Sequence, residues 1–199
     1  YKTLNLNNIN IFYVHFYCKN FKKMKKIIAF AGSNNKDSLN KKLAVFTVTK
    51  IKDIEVKILD LNDFELPLYG IDYENECGIP DNAQSFLNEI KNSDGIVLSL
   101  AEHNGAYTSV FKNMFDWMSR IDGKLWNNKP MFLMATSPGG RGGASVLEIA
   151  KGRFPFMGGN IVAEFSLPFF EKNYSSSGIV DSKLRNSFSH EITKFEKAL

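Results

Sequence analysis

Cysteine is scarce in this chain. Cys18 and Cys77 are the only two among 199 residues, and neither sits at metal-ligand spacing from a partner. That excludes a disulfide framework and a cysteine-based metal site, and suits a reduced, cytoplasmic setting. Long apolar runs are also missing. The stretch from Ile9 to Cys18 is apolar but contains Asn10 and His15, and is too short to span a bilayer. No signal-peptide order is present, because most nearby basic residues follow the apolar run instead of preceding it. No Gly-Lys-Ser/Thr closes the first glycine turn, so a P-loop is excluded, and Gly-x-Gly-x-x-Gly is absent after the first expected strand. No internal repeat or low-complexity tract is evident.

An excess of charge is missing from the body as well. The formal net charge is +4, but Lys2, Lys19, Lys22 and Lys23 supply all of it, and the remainder balances basic against acidic residues. A neutral body lacks the basic surface that nucleic-acid binding needs. No nucleic-acid partner and no membrane partner are expected.

What is present is a chain with 44% hydrophobic and 13% aromatic content, enough for one sizeable core. Met24-Lys25-Lys26 opens directly onto a strand. Residues 1–23 are read as an upstream or added extension, or alternatively as an arm that packs on the domain or a partner. Residues 24–199 are read as one α/β domain. Strands are expected at Lys26–Ala31, Ile54–Leu59, Asp94–Leu100, Met131–Thr136 and Asn160–Phe165. In the second, Ile54, Val56 and Ile58 should point inward. Helices are expected from Leu39 to about Ile51 with Ser38 as N-cap, Ala83 to Asn92, from an N-cap at Thr108 or Ser109 through Arg120, Ala144 to about Phe154, and Asp181 to Lys197. Asp60–Pro80 and Ser166–Gly178 read as long loops. Strands alternating with helices imply a parallel sheet.

In a parallel sheet every strand-to-helix turn emerges on one edge, so the turns at Gly32, Asn104 and Ser137 should converge. The first, Gly32 to Asn40, offers Ser33, Ser38 and Asn40 as donors ahead of a helix N-terminus; it fits an anion site or an ordinary capped turn. The second breaks at Asn104-Gly105, a dipeptide that tolerates positive φ. The third carries Gly139, Gly140, Gly142 and Gly143, suited to close backbone approach to a flat ligand or to a flexible loop. Phe111, Phe115, Trp117 and Trp126 offer more apolar surface than one helix face needs, which points to a subunit contact. Met114, Met118, Met131 and Met134 read as core. No metal ligands and no catalytic proton donor stand out; His103 reads as a ligand contact.

Together Gly32-Ser33…Ser38-Leu39-Asn40, Glu102-His103-Asn104-Gly105…Lys112-Asn113…Asp116-Trp117 and Ser137-Pro138-Gly139-Gly140 resemble the NADPH-dependent FMN reductase family, from Met24 nearly to the C-terminus. The resemblance implies a flavodoxin-like three-layer sandwich whose five-stranded parallel sheet runs 2-1-3-4-5. It implies bound FMN, NADPH or NADH as hydride donor, and ping-pong transfer to a small-molecule electron acceptor such as a quinone, an azo compound or free flavin. A homodimer or homotetramer is implied too. The alternative is a non-enzymatic electron carrier of flavodoxin type. By resemblance, Ser33, Ser38 and Asn40 face the FMN phosphate, with Asn35 and Leu39 in the same turn. Glu102, Asn104 and Gly105 face the isoalloxazine edge and ribityl chain, with His103 beside them. Ser137, Gly139 and Gly140 lie on the far side of the ring. Asn35 stands where the family usually has Arg, and Ala101 and His103 stand where it usually has Pro and Tyr.

Overall fold

The computed structural model describes residues 24–199; the expected extension lies outside the described residues. The chain runs β1 (Lys25–Gly32), α1 (Leu39–Val48), β2 (Ile54–Ile58), a 3-10 turn (Leu61–Asp63), α2 (Ile71–Cys77), α3 (Asp81–Asn92) and β3 (Gly95–Leu100). A two-stranded hairpin follows, β4 (Glu102–His103) and β5 (Ala106–Tyr107), and leads into α4 (Ser109–Ile121). Then come β6 (Pro130–Thr136), α5 (Ala144–Arg153), a 3-10 turn (Phe154–Met157), β7 (Asn160–Leu167), α6 (Phe170–Asn173), the hairpin β8 (Tyr174–Ser175) and β9 (Gly178–Ile179), and α7 (Ser182–Ala198).

The main sheet is parallel throughout, in the order β2-β1-β3-β6-β7. Counting only its own strands along the chain, that is 2-1-3-4-5, as expected. Every residue of β3 is buried, which requires helices on both faces. One face packs Phe30, Leu98 and Leu133 against Phe86 of α3, Met114 of α4 and Val146 of α5. The other packs Ala29, Val97 and Phe132 against Leu43 of α1 and Phe188 and Phe195 of α7. The result is a three-layer flavodoxin-like sandwich. Among the described residues, no helix is long and apolar enough to cross a membrane.

Local chemistry sets the helix starts. Ser38, Thr108 and Asp181 cap α1, α4 and α7, each accepting a backbone N–H from the first helical turn. On α4, Phe111, Met114, Phe115, Trp117 and Met118 fall on one side at helical spacing and are all buried.

Four expectations are corrected. Val56 and Ile58 share the face of Ile54, in register with Ile27 and Ala29, but they are not buried: they are 38% and 40% exposed. β2 is the sheet's outer strand, where only Ile54 is partly covered by the α1–α7 core. The connection from Asp60 to Pro80 holds a 3-10 turn and α2, which has no buried residue and rides on α4 through the T-shaped contact of Tyr73 with Trp117. Ser166–Gly178 is likewise not a plain loop, since β7 continues to Leu167 and is followed by α6 and the β8–β9 hairpin. Finally, Phe111, Phe115, Trp117 and Trp126 are at most 5% exposed within this chain. They fill its own core, with Phe115, Trp126 and Phe154 in mutual ring contact, and leave no surface for a subunit contact.

Candidate functional site

The three turns meet on the carboxyl edge of β1, β3 and β6, three adjacent strands. Each is tied to another by a side chain distant in sequence. The Thr108 hydroxyl at the head of α4 donates to the carbonyl of Gly32 at 2.8 Å, joining the second turn to the first. Asn40 reaches from the first turn of α1 between two strand ends. Its amide donates to the Thr136 carbonyl at 3.1 Å, and its oxygen accepts the Ser99 hydroxyl at 2.8 Å and the Thr136 N–H at 2.9 Å. The Glu102 carboxylate accepts the N–H of Val146 at 3.0 Å, joining the second turn to the helix after the third. α5 needs that partner, because its own N-cap is Gly143, which offers no side chain.

These ties decide what each expected site residue can offer. Asn40 is 4% exposed, and its side chain is engaged inside the protein. The expectation that its amide faces an anion is narrowed: the side-chain oxygen and one amide hydrogen are engaged, leaving the second amide hydrogen and the backbone N–H. At the start of α1, Ser38 Oγ accepts Lys41 N–H at 3.2 Å and the Ser38 carbonyl accepts Lys42 N–H at 3.1 Å. Among the described residues, the N–H groups of Leu39 and Asn40 are the helix-start donors left with neither a backbone nor a side-chain partner. Ser33 Oγ accepts Asn35 N–H, and Asn35 Oδ1 accepts Asp37 N–H at 2.9 Å, so both side chains shape the turn itself. Glu102 likewise braces the rim.

His103 and Asn104 are exposed at the tip of the β4–β5 hairpin, with Gly105 half-buried beside them. Asn104 has φ 52° and Gly105 φ 77°, so both central residues are left-handed, the geometry of a tight two-residue hairpin that favours Asn-Gly. Beneath them the Tyr107 ring packs against Phe111 and Phe154. Burial holds its hydroxyl far above the ordinary phenol range, outweighing Arg153, so it stays neutral. Ser137 is half-buried, and Gly139 and Gly140 are exposed.

Beside the first turn lies a cleft of about 480 Å³, lined by Lys36, Ser38, Lys41, Lys42, Phe46, Lys50 and Tyr174 among others, with no acidic side chain in its lining. Lys41 is neutralised by an ion pair with Asp60, and the Lys50 ammonium sits 4.9 Å above the Phe46 ring. Lys36 and Lys42 stand beside the start of α1 outside any ion pair found among the described residues, with the carboxylate of Asp37 in the same turn.

Two contributors, Asn62 and Phe169, escaped the sequence reading, and a third, Asn113, stood in the family motif without an assigned role. Asn62 donates to the Asn34 carbonyl at 3.1 Å, pinning the segment after β2 to the first turn. Asn113 donates to the Pro67 carbonyl at 2.9 Å and accepts Tyr69 N–H at 2.8 Å, fastening the same segment to α4. Phe169 sits on the third turn. For Asn62 and Phe169 the available signals were an Asp-x-Asn pair at Asp60–Asn62 and Pro168-Phe169-Phe170 after a strand, neither of them specific.

The chain is similar to a 2-hydroxy-1,4-benzoquinone reductase of Burkholderia sp, 35% identical over 121 residues, which are 60% of this chain and 64% of that protein. It is also similar to a quinone reductase of Escherichia coli, 30% identical over 120 residues, 60% of this chain and 63% of the relative. The matches thus span less than two thirds of the length of these relatives. Among solved structures, a flavoenzyme NAD(P)H:(acceptor) oxidoreductase of Paracoccus denitrificans superposes with a TM-score of 0.66 at 27% identity, covering 87% of this chain and 98% of that one. The family model for NADPH-dependent FMN reductases matches residues 25–172, a span that contains all three tied turns, and the chain belongs to that family.

Proposed function

We propose that the protein is an FMN-dependent NAD(P)H oxidoreductase that reduces flat small-molecule acceptors, quinones first, in a ping-pong cycle. The observation that carries this reading is the cross-tied rim. Three turns are locked together by Thr108, Asn40 and Glu102, and two free N–H groups and the Ser38 hydroxyl lie beside a lysine-lined cleft.

That donor set fits a flavin phosphate. A phosphate near two negative charges is stabilised by backbone N–H groups at a helix start, here those of Leu39 and Asn40, with Lys36 and Lys42 supplying charge nearby. Ser38 both caps α1 and offers its hydroxyl. The hairpin Glu102–Tyr107 and the turn Ser137–Gly140 are assigned to the two sides of the ring. Glu102 acts there as a positioning residue, and His103 as a contact. When bound, FMN would supply the redox chemistry between nicotinamide and acceptor, and Leu39, Asn40 and Ser38 would hold its phosphate. The protein's own work is to hold that group and keep the rim rigid, so that two flat substrates use one slot in turn.

The test is direct. Protein reconstituted with FMN should show flavin absorbance bands that NADPH or NADH bleaches and a quinone restores, and steady-state rates should give parallel double-reciprocal lines. A protein that takes up no FMN, or whose flavin NAD(P)H leaves oxidised, refutes the reading; the second result would favour a pure electron carrier. Assembly as a homodimer or homotetramer is inferred from a different surface than the buried aromatics. Leu68, Ile71, Tyr73 and Ile79 are 82%, 52%, 40% and 39% exposed within one short segment. Light scattering on the wild type and on Leu68→Glu tests it, with a monomeric wild type as the refuting result.

A further inference from the structure

Phe169 combines two features that a structural phenylalanine avoids. Its backbone is left-handed, at φ 48° and ψ 60°, a region in which a bulky side chain is strained. Its ring is 50% exposed, whereas the next residue, Phe170, is 3% exposed and stacks on Tyr174. The strained residue therefore gains little burial in return.

The surroundings enforce the conformation. The N–H of Phe169 donates to the Gly139 carbonyl at 3.0 Å, and the N–H of Phe170 donates to the Ser137 carbonyl at 3.1 Å. The Phe169 carbonyl accepts from Lys172 and Asn173, and Asn173 holds the Pro168 carbonyl at 2.8 Å. The ring tip rests on Gly140, where a Cβ would lie 2.7 Å from Cζ of Phe169. Glycine at that position thus leaves room for the ring. If only the backbone geometry mattered, Gly or Asn would adopt it at lower cost. Strain that the neighbourhood over-determines is characteristic of ligand clamps and active sites.

We propose that Phe169 is the acceptor-selecting residue: its ring, seated on the third turn, forms an aromatic wall against which a flat, fused-ring acceptor packs. This rests on the oxidoreductase reading above. Aromatic rings favour offset or edge contacts with other flat π-systems, and a half-exposed ring held in one orientation provides such a contact with little further ordering.

The test uses the FMN-loaded protein and the variants Phe169→Gly, Phe169→Leu and Phe169→Tyr. Binding of a water-soluble anthraquinone sulfonate to the oxidised protein, without NAD(P)H, is measured by calorimetry. The Gly and Leu variants should bind it about tenfold more weakly, and Tyr within about twofold of wild type. In turnover, KM for the same quinone should rise in parallel, while the rate with ferricyanide, which has no flat face, and the FMN content stay unchanged. The melting midpoint of Phe169→Gly should not fall, because glycine relieves the left-handed strain. Anthraquinone affinity in the Gly and Leu variants within twofold of wild type overturns the inference, as does an equal loss with ferricyanide. A wild type that holds FMN yet reduces no acceptor overturns the oxidoreductase reading instead, so the two failures are distinguishable.

Discussion

The carboxylate of Glu102 accepts the N–H of Val146 at 3.0 Å across a separation of 44 residues, so a hairpin residue caps a helix that has no side-chain cap of its own. The contact joins two of the three turns and places negative charge at the positive end of α5. Glu102→Ala should lower stability by about 1–2 kcal/mol. Glu102→Gln keeps an acceptor oxygen and should lose less than half of that. Urea unfolding of both variants checks the order; equal losses would show that the charge, and not the acceptor, carries the contact.

Asn40 is the most costly single residue at the rim. Truncation leaves the Ser99 hydroxyl, the Thr136 N–H and the Thr136 carbonyl without their partner in a buried site. Asn40→Ala should therefore cost about 3 kcal/mol. Asn40→Asp should do no better, since it faces the Thr136 carbonyl with a carboxylate oxygen in place of a donor. Thermal melts and FMN titration of both variants provide the check, with affinity falling alongside stability.

Asn35 occupies an exposed place in the first turn, where an added cation would help hold a phosphate. Asn35→Arg should tighten FMN about fivefold at low salt, near 1 kcal/mol. The gain stays modest because the substitution removes the Asn35 Oδ1 contact with Asp37 N–H at 2.9 Å. Fluorescence-quenching titrations should show the gain shrinking as salt rises. An Arg variant no tighter at low salt would place the phosphate elsewhere.

Two carboxylates shape the acid limb of stability. Burial raises the Asp60 pKa, but hydrogen bonds from Lys41 and Asn62 outweigh it and hold the group below its ordinary value of 3.8. The Asp122 pKa is lowered chiefly by Lys91, 2.9 Å away, and by the N–H of Lys124. A carboxylate with a lowered folded pKa binds fewer protons folded than unfolded in that range. Its stabilisation is present above 3.8 and is lost as pH falls through the folded value. The Asp60→Asn, Asp122→Asn double variant should lose less stability than wild type between neutral pH and about pH 3. Denaturant midpoints at the two pH values measure it; parallel losses would refute it.

Much of the fold was legible in order along the chain. Strand and helix alternation, Ser38 as one cap and Thr108 or Ser109 as another (the structure uses Thr108), and Asn104-Gly105 as the tight turn all follow from interactions within a few residues of one another. A parallel sheet then forces the three turns onto one edge, so the location of the candidate site followed from sequence as well. The allocation of individual side chains did not. Asn40 and Glu102 carry the right chemistry to touch a ligand, but partners 96 and 44 residues away engage their side chains, and sheet order alone brings those partners near. Val56 and Ile58 alternate like buried strand residues, yet they lie on an edge strand, β2, and stay exposed where Ala163, Phe165 and Leu167 of the other edge strand are buried. Phe169 falls in a stretch that reads as a plain loop, and its seat on Gly140 appears only when the third turn is folded beneath it. Period and propensity act over about one element's length; which polar groups remain free, and which rings stay exposed, is decided by contacts between elements, and those exist only once the sheet has closed.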